Sequence, residues 1–96
     1  MFNFAPKIKQ KMIMSDITRD CVEAAYCFFH QKLRVYEYSQ NPTQRDDIEY
    51  AIGQYVDGMN GMLYQKLANG KPHYLLDHSS FERDMRDALV KLEAMM

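Results

Sequence analysis

Cys27, His30, His73 and His78 are the residue types that bind zinc, and Cys27 and His30 stand one turn apart in a stretch of helical periodicity. Their overall spacing matches no structural zinc pattern, and three histidines are ordinary for this length, so the sequence assigns no metal ligand. Asp46, Asp47 and Glu49 form the densest group of carboxylates. As general acid and base they would need a cleft and a reacting partner. As neighbours of Asn41, Pro42 and Thr43 they read more simply as the acidic first turns of a helix, stabilised by its positive end. A serine or cysteine nucleophile would need a base and an orienting group, and no motif places the three together. The expectation is therefore no enzyme, no catalytic residue and no cofactor.

Lys7, Lys9 and Lys11 are the remaining chemistry-bearing set. They alternate with Ile8, Gln10 and Met12 after Pro6, a two-residue period that predicts an extended arm over residues 1–14, which Phe2 and Phe4 could anchor. Such an arm could touch phosphates. The net charge is only −1, however, and acids outnumber bases in the segment from Phe81 onward, so phosphate neutralisation has little surface to work with. Nucleic-acid binding through Lys7, Lys9 and Lys11 is accordingly the second reading. Met14 and Ser15 also read as a plausible native start, which would make the arm an upstream extension.

The elements that must position these residues follow from apolar spacing. Thr18, Val22, Ala25, Phe29, Leu33 and Tyr36 make a helical stripe over about residues 16–39, with Ser15 or Asp16 as the expected cap. Cys21, Phe28 and Val35 form a second apolar flank, roughly 80–120° round the same helix. Cys21 and Cys27 are separated by about 9 Å of helix rise. A disulfide tolerates roughly 7 Å between Cα atoms, so both are expected as free thiols. Cys27, on the polar side, is the one free to bridge to another chain.

Asn41 and Pro42 stop this helix, and Thr43 with Asp46 resembles a capping box for the next. Ile48, Ile52, Tyr55, Val56, Met59, Met62, Leu63 and Leu67 keep one phase over residues 43–68. Gly53, Gly58 and Gly61 interrupt that face, and Asn60 followed by Gly61 is itself a turn signature. The maintained phase favours an unbroken helix ending in a left-handed cap at Asn69 and Gly70. Leu75 and Leu76 are expected to plug the end of the hairpin. Ser79 with Glu82 then predicts a capped third helix over residues 80–95 with Phe81, Met85, Ala88, Leu89 and Leu92 on one face.

The 96 residues suffice for one core that buries about 60–65% of the unfolded surface. Apolar residues at 47% and charged residues at 26% are ordinary globular values. The longest apolar run, residues 24–29, is far below the roughly 20 residues a bilayer requires. The first 14 residues hold three lysines and no apolar h-region, so the cytoplasm is the expected location.

These readings give an all-α domain over residues 15–96, a three-helix bundle built on a long antiparallel helical hairpin with a shorter third helix and an N-terminal arm. Two helices of roughly 25 residues against one of about 16 leave about 13 Å of seam without cover. With the flank of Phe28 and Val35, and with Tyr50 and Tyr64 near Gly58 and Gly61, that surplus predicts a protein-interaction module. Its simplest partner is itself, as a homodimer. The expected interface is Phe28, Val35, Tyr50, Gly58, Gly61 and Tyr64.

Overall fold

Thr18 opens the first helix of the computed structural model, which describes residues 17–96. Its backbone is extended (φ −99°, ψ 159°) and its Oγ1 accepts from the Cys21 amide at 3.1 Å, which satisfies one of the free donors at the start of α1 (Arg19–Tyr38). Helix α1 thus starts later than the expected cap at Ser15 or Asp16, two residues that lie outside the described ones. Val22, Ala25, Phe29, Leu33 and Tyr36 are buried along it, the stripe that the spacing predicts.

A tight turn follows. Ser39 is buried, its hydroxyl donates to Gln44 Oε1 at 2.7 Å, and Arg45 Nε donates to the Ser39 carbonyl at 3.0 Å. Helix α2 (Pro42–Gly58) is capped by Asn41, whose Oδ1 accepts from the amides of Thr43 and Gln44 at 2.9 and 3.4 Å. This corrects the expected box of Thr43 and Asp46. Pro42 holds Asn41 in the extended region and takes the first helical position itself, so the cap falls two residues earlier.

The expectation of one unbroken helix over residues 43–68 is also overturned. Met59 is extended and Asn60 has also left the helical region (ψ 169° and 122°), and Asn60 Oδ1 accepts from the Leu63 amide at 3.0 Å to start a new helix, α3 (Gly61–Ala68). An asparagine that can cap, set between glycines that favour leaving a helix, outweighs an apolar phase that runs through both pieces. Helix α3 ends as expected in a left-handed cap, with Asn69 at φ 49° and Gly70 at φ 84°.

Residues 71–77 form turns, and His78–Ser80 make one turn of 3₁₀ helix leading into α4 (Phe81–Met95). Asp77 caps that turn, accepting from the Ser79 amide and hydroxyl at 3.0 and 2.9 Å. Ser79 is therefore not the cap of α4 that its spacing to Glu82 predicts. Leu75 is buried, but Leu76 is exposed and rests against the Gly53 side of α2 instead of plugging an end.

The described residues are all-α, with four α-helices, one 3₁₀ turn and no strand. The core is one cluster to which every helix contributes, and it includes Phe29, Ile52, Leu63, Leu67, Tyr74, Leu75, Phe81, Met85 and Leu92. The principal cover of α1 is α4: Tyr36 and Phe81 meet with ring centroids 5.0 Å apart, and Arg86 pairs with Glu37 across the two helices. No helix among the described residues is long and apolar enough to cross a membrane.

Candidate functional site

Two polar constellations flank the residues that join α3 to α4. The inner one surrounds Asp84, which is 3% exposed. Its Oδ1 accepts from Lys71 Nζ at 2.6 Å, and its Oδ2 accepts from the Leu75 amide at 3.0 Å and the Ser80 hydroxyl at 3.1 Å. Tyr74 donates to Asp87 Oδ2 at 2.7 Å, and Tyr64 donates to the Tyr74 carbonyl at 2.7 Å. Burial, then the hydrogen bond to Asp87, raises the Tyr74 phenol far above its ordinary range. Lys91 caps the end of α3 by donating to the Leu67 carbonyl at 2.7 Å and pairs with Asp87 at 2.9 Å. The Asp84 and tyrosine contacts hold linker to helix and Lys91 joins α4 to α3, so this network is structural.

The outer constellation opens to solvent. Asp46 and Glu49, three residues apart on α2, meet His78 at the start of the 3₁₀ turn, and one ligand atom from each lies within 4.8 Å of the other two. Glu49 is partly buried and Oε2 accepts from the Tyr36 hydroxyl at 2.8 Å. His78 Nδ1 lies 2.9 and 2.8 Å from Glu49 Oε1 and Oε2. Tyr36 is pushed up to about 12, by burial first and then by Glu49. The hydrogen bond with Glu49, and then the charges of Glu49, Asp46 and Asp77, raise His78 above its ordinary value. Arg45 lies over the Tyr36 ring, 4.6 Å from its centroid. Tyr36, Arg45, Asp46 and His78 edge an open cleft of about 970 Å³ shared with Glu82 and Arg83, and Glu49 sits behind them. Chemically the group offers one imidazole nitrogen and two carboxylates, a set able to hold a proton or a divalent cation.

The sequence-derived candidates are dispersed. Phe28 stacks on Tyr55 at 4.5 Å, and Tyr64 is tied to Tyr74, so both are engaged within the chain. Val35 is 41% exposed and Tyr50 is 69% exposed. Tyr50 lies two residues from both Ile48 and Ile52, about 160° from each round α2, and so faces away from the core. Among the described residues, Gly58 and Gly61 have nothing within 4 Å of where a Cβ would stand, so the tight helix contact expected of them is not made there. Lys7, Lys9 and Lys11 lie outside the described residues. Cys21 and Cys27 are free thiols, and His30 stacks against Tyr26.

Among the described residues, then, the metal-binding types that converge are Asp46, Glu49 and His78, and not Cys27, His30 and His73. Asp46 and Glu49 carried a local signal, their spacing on one helix face, which is equally that of an acidic helix start. His78 is 29 residues beyond Glu49, and no local spacing announces that meeting. Compared with known proteins, the chain matches no family model, no curated protein and no solved structure.

Proposed function

We propose that this chain is a small, non-enzymatic helical module of the cytoplasm that works by binding protein, most simply a second copy of itself as a two-fold dimer. The observation that carries the reading is an open groove of about 620 Å³ along the outer flank of α1. Val35 and Tyr38 line it together with His30, Gln31, Arg34 and Gln44. Tyr38 is 81% exposed, and a large aromatic side chain left outside beside an open β-branched one favours a contact surface. A net charge of −1 sets little repulsion between copies.

The architecture we infer for this role is an antiparallel hairpin of α1 and α2, with α4 laid along α1. Tyr36 meets Glu49 near the turn and Phe28 meets Tyr55 farther from it, the order that opposed helices give. Of the expected interface, Val35 and Tyr50 remain available, Phe28 and Tyr64 serve the fold, and Tyr38 joins the set. Static light scattering over a concentration series tests the proposal. A mass rising toward twice the 11.4 kDa chain supports it, and a mass that stays at one chain throughout overturns self-association.

A further inference from the structure

We propose that Asp46, Glu49 and His78 form a binding site for a divalent transition-metal ion, with zinc the best match to the donors. The three side chains come from two elements and bring an imidazole nitrogen and two carboxylate groups to one point, with Asp46 and His78 on the cleft wall and Glu49 beside them. Hard cations such as magnesium and calcium select all-oxygen sites, whereas a nitrogen with two carboxylates suits zinc. Bonds of about 2.0–2.2 Å to zinc put neighbouring donors roughly 3.3–3.5 Å apart in a tetrahedron. His78 Nδ1 is already 2.8 Å from Glu49 Oε2, and all three donors fall within 4.8 Å, so the observed spacing brackets that value.

Glu49 is held from behind. The Tyr36 hydroxyl, on a ring that is 4% exposed, donates to Oε2 and fixes the carboxylate's direction, as outer hydrogen bonds do for metal ligands. His78, by contrast, is exposed on a short turn and free to adjust by the few tenths of an ångström that ligation needs. Three protein donors leave a fourth position open to the cleft. Binding requires Nδ1 without its proton, so a protonated His78 releases one proton to solvent as the ion enters, and the ion takes over the contact that Glu49 now makes to the ring. Arg83 and Arg45 line the same cleft and both oppose a cation there, Arg45 from a position fixed by the Tyr36 ring and the Ser39 carbonyl, and Glu82 on the same wall offsets part of that charge.

Calorimetric titration of the full chain with zinc chloride in chelator-free buffer tests this. One ion per chain is expected, with affinity reduced at least tenfold in His78→Ala and in Glu49→Gln. Cys27→Ser and His30→Ala, at the other helical pair of metal-binding types, should keep the parent affinity. Because His78 is exposed, His78→Ala should retain the parent helical circular dichroism, and zinc should shift the His78 ring signals in NMR spectra of the parent. No zinc uptake, uptake that survives His78→Ala, or uptake lost with Cys27 or His30 instead would each overturn the site. A purely electrostatic role for Asp46 and Glu49 in the N-terminal half of α2 predicts the first of these results.

Discussion

Leu75 sits at φ 66°, a left-handed conformation that costs a branched residue roughly 1–2 kcal/mol, and His73 two positions earlier is at φ 57°. What compensates is Asp84, which receives the Leu75 amide while Leu75 itself goes into the core. Asp84→Ala would leave that amide unpaired and the Ser80 hydroxyl without its acceptor in a buried place, and should cost about 1–3 kcal/mol in urea unfolding. Lys71 adds little to this figure, being more than a third exposed and screened by solvent. An unchanged unfolding midpoint would show that the linker is held by something else. The contact of His78 with Glu49 makes a second prediction, of opposite character. The folded-state value of His78 is raised above its ordinary 6.5, so the pair's contribution is fully present below that value. It is lost as pH rises through the raised folded value. Chemical-denaturation midpoints measured across this window should fall with pH in the parent and lose that part of the slope in His78→Ala; equal slopes would show that the contact has no thermodynamic weight.

At the scale of elements, the break between α2 and α3 makes Gly58 testable. It ends α2 with none of the described residues near its absent side chain and without a positive φ, so Gly58→Ala should stabilise the chain by about 0.5–1 kcal/mol in thermal unfolding. A loss of stability would instead mean that a neighbour approaches there, as the close helix contact expected from the glycine spacing requires. That expectation illustrates which parts of the fold a sequence discloses. The stripes of α1 and α4 were legible because burial repeats every three or four residues, and Val22, Phe29, Leu33, Phe81, Met85 and Leu92 are all in the core. The left-handed stop at Asn69 and Gly70 was legible because so few residues tolerate it. The breaks and caps were not, since Asn60, Asn41 and Asp77 compete with other plausible cap residues within a turn or so of each, and spacing alone does not rank them. The candidate site was least legible of all: Asp46 and Glu49 become a site only when His78 arrives from another element.

For the molecule as a whole, the case for a companion rests on different ground from the mismatch of helix lengths. Helix α1 has 20 residues and α4 has 15, which leaves about 8 Å of surplus where about 13 Å was expected. The second limb of the expected hairpin is itself in two pieces. The exposed pair of Val35 and Tyr38 now carries the argument. Val35→Glu combined with Tyr38→Glu should hold the chain at one-chain mass in light scattering while shifting its own stability by no more than about 0.5 kcal/mol, as surface changes usually do. A double variant that still associates would place the contact elsewhere. One last property follows from how α1 is covered. Tyr36 and Phe81 meet ring against ring although they are 45 positions apart in sequence, so the two halves of that contact are made at very different moments of translation. A nascent polypeptide can form α1 early, but the part of its apolar side that α4 covers stays open until α4 has left the ribosome, and the Leu75 segment lacks its anchor until then because Asp84 arrives on the same helix. The face of α1 under α4 and the turn at Leu75 therefore gain their cover together, after α1 and α2 are both available to pair.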